Sequence, residues 1–153
     1  MPQIQGSAFI PAPPERVWAM LHDLAVLGRC VPGGAQITQE APDRFRADLN
    51  LAVGPLRGNF QASVQLRDQI EPPASSTPSL ALIIEAQGPS GLLSAAAAVQ
   101  LSAEGRGTRA DWQGEPRLSG MLAMLAGRLI GKLSQAQTEQ FFANLAREAA
   151  GGE

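Results

Sequence analysis

Very few of the residues on which metal and nucleophile chemistry depend are present. One cysteine, Cys30, and one histidine, His22, occur in 153 residues. No internal disulfide can form, and zinc and triad chemistry both lack their parts. Tyrosine is absent and aromatics make up 5% of the chain. Charged residues reach 17%, below the roughly 25% of typical globular chains. Twelve basic against fourteen acidic residues leave a net charge of −2, too small for a phosphate-tracking surface, so no nucleic-acid partner is expected. No stretch approaches the ~18 apolar residues of a membrane span, and Met1–Ile10 has neither the basic start nor the apolar run of a secretory signal. A cytoplasmic protein is expected. With 16 glycines and 12 prolines the chain stays below the roughly 25–30% that marks low-complexity sequence, and its 44% hydrophobic content suits a single buried core.

What is present reads as one strand, a helical segment, a run of strands and a long helical tail. Gln3–Ile10 is β-favouring and ends at Pro11, Pro13 and Pro14, which cannot continue a ladder. From Pro14, with Glu15 in the first turn, Val17, Trp18, Leu21, Leu24 and Ala25 recur at three and four, predicting an amphipathic helix that Gly28, Pro32, Gly33 and Gly34 break. Phe45, Ala47, Leu49, Leu51 and Val53 alternate with polar residues, and after Gly54–Pro55 the alternation resumes from Leu56 to Ile70, interrupted at Asp68. This predicts a long antiparallel hairpin. Glu71–Ser79 reads as a proline-rich surface loop. Leu80–Gln87, Ser90–Glu104 and Thr108–Glu115 follow as strands, the second despite the helix-favouring run Ala95–Ala98, because a helix there would interrupt the meander. Leu118 to about Ala149 carries Leu118, Leu122, Leu125, Leu129, Leu133, Ala136, Phe141 and Leu145 at helical spacing and reads as one long helix weakened by Gly120, Gly127 and Gly131.

This order is α+β, with helices available to cover one face of a curved sheet. Large side chains are scarce on the expected inner face, where Ala47, Gly58, Ala62, Ala86, Ala96, Ala98 and Ala110 are small. Two packings remain open: an apolar cavity between sheet and helix, or a dry core in which the layers approach more closely.

The segment Pro11–Trp18, the corner Cys30–Val31–Pro32–Gly33, the turn Val53–Gly54–Pro55 with Gly58 and Phe60, the pair Gly107–Thr108, and Arg117, Gly120, Leu129, Phe141 and Phe142 resemble the G-subunit family of carbon monoxide dehydrogenase. That family belongs to the START-like (SRPBCC) helix-grip superfamily of lipid and polyketide binders. The match runs from the first strand to Leu145. It implies a single helix-grip domain over residues 1–150, with a polar end at 151–153: a curved seven-stranded antiparallel sheet wrapped around a long C-terminal helix, with two short helices after strand 1. It also implies a hydrophobic, lipid- or quinone-like ligand and a molybdenum-containing dehydrogenase as partner, the protein serving assembly, membrane recruitment or electron-acceptor supply. Some relatives carry a membrane-attaching C-terminal segment. Arg147–Glu153 is too short and polar to insert, so at most transient contact with the inner face of the membrane is expected.

The residues expected to line the cavity are Leu51, Phe60, Ala62, Val64, Leu82, Ile84, Trp112, Leu122, Leu125 and Leu129. No catalytic residue, metal ligand or cofactor is assigned. Cys30 reads as a small core residue, since no cation or helix N-terminus is assured beside it. His22 beside Asp23 would need an oriented partner to act as a base. Trp18 and Trp112 suit packing as well as ring stacking. Arg57, Arg109 and Arg117 are ordinary solvent-face cations, and Asp48, Asp68, Asp111 and Glu85 lie on different strands without metal-ligand spacing. A polyketide cyclase or dehydratase, which must place proton-moving groups in the cavity, and a ligand-free assembly scaffold are the competing readings.

Overall fold

A computed structural model describes residues 3–72 and 75–151. Strand β1 (Ile4–Ile10) is followed by helices α1 (Pro14–Leu21) and α2 (Leu24–Cys30). Six strands come next: β2 (Ala35–Ala41), β3 (Arg44–Val53), β4 (Leu56–Ile70), β5 (Ser79–Gly88), β6 (Gly91–Glu104) and β7 (Gly107–Gly120). Helices α3 (Met121–Ala126) and α4 (Ile130–Gly151) close the chain. The strands form one seven-stranded sheet in the order β1-β7-β6-β5-β4-β3-β2, antiparallel at every pairing. This is the α+β helix-grip architecture that the residue pattern and the resemblance imply. Pro73 and Ala74, within the expected proline-rich loop, lie outside the described residues.

Local chemistry explains most boundaries, and three expectations need correction. The first helical segment is not continuous from Pro14 to Ala25. It stops at Leu21, and Asp23 starts α2 by accepting the N–H groups of Ala25 and Val26 at 3.0 and 3.3 Å, a side-chain N-cap that satisfies two otherwise unpaired donors. Gly28 lies inside α2 rather than ending it, where a Cβ would meet the Ala35 carbonyl oxygen at 2.6 Å.

The single helix expected from Leu118 also divides. Leu118 pairs with Leu93 as part of β7, and Gly120, at φ 70°, turns the chain into α3. A turn over Gly127–Leu129 then separates α3 from α4. Apolar spacing ran on through these joints because Leu118 and Leu122 both face the interior while belonging to different elements.

The third correction concerns the alanine run. Ala96 and Ala98 point outward, paired with Ile83 and Ala81 on the outer face, whereas Ala95 and Ala97 face inward with Ile84 and Leu82. A run of identical residues carries no phase of its own. The phase is set by Val99 and Leu101, whose partners Trp112 and Ala110 are buried, and a slip of one residue inverts the faces.

Helix α4 packs its backbone on β1, β7 and α2, and α3 packs on β6 and β7. Helix backbone approaches β3, β4 and β5 less closely than it approaches β1, β6 and β7. The buried residues form two clusters. One joins the C-terminal half of α4 (Phe142, Leu145, Ala149) to α1 and α2 through Val17, Met20 and Cys30, and to the sheet through Ile4, Ile10, Val99, Leu101 and Trp112. The other joins α3 and the start of α4 (Leu122, Ala126, Ile130) to Ala47, Leu56, Phe60, Ala62 and Ala86.

Candidate functional site

Between the two clusters the inner face of the sheet carries a transverse row that packs with neither. Strand register places Phe45 beside Val64, Val64 beside Ile84, and Ile84 beside Ala95. All four side chains point inward and are half-buried. The row on one side, Ala47, Ala62, Ala86 and Leu93, belongs to or packs against the α3 cluster. On the other side Leu66 and Leu82 pack against the α4 cluster, with half-buried Ala97 beside Leu82. An inward apolar side chain on a central strand keeps accessible surface only if space large enough for solvent lies beside it. The looser approach of helix backbone to β3–β5 leaves room for that space. Small Ala95 and Ala97 widen it.

Helix α4 lies on the inner side of the sheet, packed on β1, β7 and α2. Helical phase places Ser134, Thr138 and Phe141 between Ile130 and Leu145, which face the sheet, with Gln137 at the margin of that face. All four are half-buried. The Thr138 hydroxyl donates to the Ser134 carbonyl at 2.8 Å. Gln135 Nε2 donates to the Gln5 carbonyl and Asn144 Nδ2 to the Cys30 carbonyl, so these amides tie α4 to β1 and α2. Gln137 is not part of those ties and adds an amide to a wall that is otherwise short on polarity. Across β1–β7 the inward paired positions hold no charged residue.

The residues expected to line the cavity are spread over four surroundings. Val64 and Ile84 are in the uncovered row, and Leu82 borders it. Leu51, Phe60, Ala62 and Leu122 belong to or pack against the α3 cluster. Trp112 is committed to the α4 cluster: it stacks on Phe142 with centroids 6.1 Å apart and lies over Gly6, where a Cβ would meet its ring at 2.5 Å. Leu125 and Leu129 are 52% and 44% exposed and point away from the sheet face that Leu122 and Ala126 cover. Sequence reasoning missed Phe45, Ala95, Ala97, Ser134 and Gln137. The signal for the alanines was register relative to Trp112, and for the helix it was the phase of Ile130 and Leu145.

The titratable groups stand elsewhere. Cys30 is fully buried, and burial, with a smaller contribution from Glu148, pushes its thiol up to about 11. The thiolate needed for reactivity is therefore scarce at neutral pH. His22 donates from one ring nitrogen to the Trp18 carbonyl and meets the Gln69 side chain with the other, both at 2.7 Å. It thus fastens α1 to β4, with Trp18 packed against its ring. Arg57 caps the Gly54 carbonyl at 3.0 Å and Arg109 pairs with Asp111 at 3.0 Å. Arg117, Asp48 and Glu85 are exposed on the outer face, and Asp68 sits at a bulge in β4 with φ 50°. No group of three or more metal-ligating side chains occurs among the described residues. An open trough of about 720 Å³ lies on the outer face, bordered by Gln5, Ser7, Ala81, Ala98, Gln100, Arg109, Asp111 and Gln113; its lining mixes polar and apolar groups and does not include the inner row.

Comparison with known proteins agrees with this architecture. A conserved protein from Geobacillus kaustophilus superposes with a TM-score of 0.85 at 23% identity, covering 97% of this chain and 95% of that one. A Thermus thermophilus protein gives 0.72 at 18% identity over 99% and 100%. A START superfamily protein from Mycobacterium smegmatis gives 0.70 at 12% identity over 98% of each chain. At such identities the likeness concerns the fold alone. No curated protein sequence matches. No helix among the described residues is long and apolar enough to cross a membrane. The profile of CoxG, the G-subunit family of carbon monoxide dehydrogenase, matches residues 6–150, nearly the whole chain, and the protein belongs to that family.

Proposed function

We propose that this protein is a non-catalytic accessory that holds a long apolar molecule, quinone- or lipid-like, between the inner face of β3–β6 and helix α4. In this reading it serves the assembly, membrane recruitment or acceptor supply of a carbon monoxide dehydrogenase-type molybdenum enzyme. The observation that carries it is the half-buried row Phe45, Val64, Ile84 and Ala95, apolar and packed with neither core cluster. Leu51, Phe60, Ala62, Leu82 and Leu122 form its apolar borders in this proposal. Length of the ligand follows from magnitude. About ten buried CH₂ groups at ~0.8 kcal/mol each contribute roughly 8 kcal/mol, of the same order as the ~4–15 kcal/mol lost in translational and rotational freedom on association. A short acyl chain is therefore held weakly, while a polyprenyl or long acyl tail is held well. The hydroxyl of Ser134 and the amide of Gln137 suit a ligand with one hydrogen-bonding head.

The family assignment supports the accessory role. An enzyme of the cyclase type would require ionisable groups on the inner face, and the charged side chains of the strands point outward instead.

Native mass spectrometry of the protein loaded with a long-chain polyprenyl quinone tests the proposal. A one-to-one adduct is expected. Ala95→Trp, which fills the uncovered row, should reduce loading by roughly tenfold or more, since each ~1.4 kcal/mol of lost affinity is a factor of ten. His22→Ala should leave loading unchanged. An absence of adduct, or an adduct indifferent to Ala95→Trp, refutes the reading.

A further inference from the structure

The helix pair α1–α2 is anchored firmly at both of its ends and held at its apex by a single side-chain bond. At its start, the buried Thr108 hydroxyl donates to the Ala12 carbonyl at 2.7 Å. At its finish, Asn144 Nδ2 donates to the Cys30 carbonyl at 2.8 Å and Arg29 pairs with Glu148. The apex is the joint His22–Asp23. Among the described residues one hydrogen bond joins it to the sheet: His22 Nε2 meets the Gln69 side chain at 2.7 Å, in an exposed position. The Gln69 amide can present either its oxygen or its NH₂ group, so this bond forms in both protonation states of the imidazole.

The bond stands where the inner apolar row comes to the surface. Along β4 the inward side chains run from Val64 to Leu66 and then, past the irregularity between Arg67 and Ile70, to Gln69, which its contact with α1 places on the inner side. On the helix side, Leu24, Leu27 and Gly28 share one face of α2, and a Cβ on Gly28 would meet the Ala35 carbonyl oxygen at the start of β2. Leu24 and Leu27 are therefore turned toward β2 and β3, the side on which Phe45 stands. Both are half-buried, and neither packs with a core cluster. An apolar strip thus continues from the row, through Phe45, to the α1–α2 joint. The opposite end of the space is plugged, because Leu122 and Ala126 of α3 are 2% and 1% exposed and packed with Phe60 and Ala86.

We infer that the α1–α2 joint is the portal through which an apolar molecule enters and leaves the inner space, with the His22–Gln69 bond as its latch. When the bond opens, the joint lifts while Thr108, Asn144 and Glu148 hold the two ends of the helix pair. Leu24, Leu27, Phe45 and Leu66 then offer apolar surface to the passing chain. The bond is remade behind the ligand and is closed in the empty and the loaded protein alike. It therefore governs how fast the molecule exchanges and leaves unchanged how much is bound at equilibrium. This inference rests on the carrier reading and adds to it the route and its control.

Stopped-flow loading and release of a long-chain polyprenyl quinone, read by quenching of the two tryptophans, is the test. Gln69→Ala should raise both rates by roughly three- to tenfold, the kinetic counterpart of one lost side-chain hydrogen bond, with their ratio unchanged. Gln69→Glu keeps an acceptor for His22 and should exchange at the wild-type rate. His22→Cys with Gln69→Cys, bridged by a short bismaleimide, should slow both rates by roughly tenfold or more. Gln69 is exposed, and an unchanged ratio of the two rates itself shows that the variants are folded. Unaltered rates in either the Gln69→Ala or the bridged protein overturn the portal and leave the carrier reading standing. A rise in release alone also overturns it, since the pair would then belong to the wall that holds the ligand. A wild-type chain that takes up no apolar molecule removes the carrier reading, and the portal with it.

Discussion

Gly6 and Thr108 show how closely β1 and β7 are matched. The Trp112 ring occupies the space a Cβ would need at Gly6, so Gly6→Ala should destabilise the protein by about 1–3 kcal/mol, the usual cost of overpacking, read as a lower urea midpoint. Thr108 is fully buried and donates its hydroxyl to the Ala12 carbonyl at 2.7 Å; Thr108→Val would strand that carbonyl, at a cost of about 1–3 kcal/mol. Cys30 offers a test by pH. Its thiol is raised from 9.0 to about 11, chiefly by burial. The native protein therefore gains stability from the neutral thiol below pH 9 and loses it between 9 and about 11, as the unfolded chain ionises first. Without tyrosine and with one lysine, few other groups titrate in that range. Cys30→Ala should flatten the alkaline fall in Tm, and the wild-type thiol should resist a disulfide reagent at pH 8 until the chain unfolds. Rapid labelling of the native protein would contradict this burial.

At the scale of elements, α2 is clasped to α4. Arg29 donates to both carboxylate oxygens of Glu148 at 2.9 and 3.1 Å, and Asn144 holds the Cys30 carbonyl at 2.8 Å. The hydrogen bond from Arg29 holds the Glu148 carboxyl below its ordinary range. Its contribution is accordingly present above the usual carboxylate pKa and disappears as pH falls through the lowered value. Glu148→Gln should lower Tm at neutral pH and make no difference in strong acid; a pH-independent difference would assign the effect to packing. The order of elements, the β3–β4 hairpin and the start of α1 were legible in the sequence, because alternation, Pro14 and Gly54–Pro55 each act locally. The joints at His22–Asp23 and Gly120 were not. There the apolar spacing continues across a change of direction imposed by an N-cap and by a positive φ.

For the whole molecule, the decisive property is that the sheet is gripped most closely at β1 and β7 by α4 and at β6 and β7 by α3, with helix backbone approaching β3–β5 less closely. Sequence pattern indicated an inner face poor in large side chains, and Val64 and Ile84 were among the residues it singled out. It could not show that Trp112 is consumed by Phe142 and Gly6, nor that Ala95 and Ala97 rather than Ala96 and Ala98 face inward, since both facts arise from register between distant strands. The result is a molecule with a charged outer face, an uncharged inner one and an exposed apolar surface at α3.

Methyl-selective NMR during titration with a long-chain polyprenyl quinone addresses the inner space directly. Shifts confined to the methyl groups of Val64, Leu82, Ile84, Ala95 and Ala97, saturating at one equivalent, are the predicted result. Unmoved inner methyls, with any shifts falling on the outward Ala81, Ile83 and Ala98, would contradict the account.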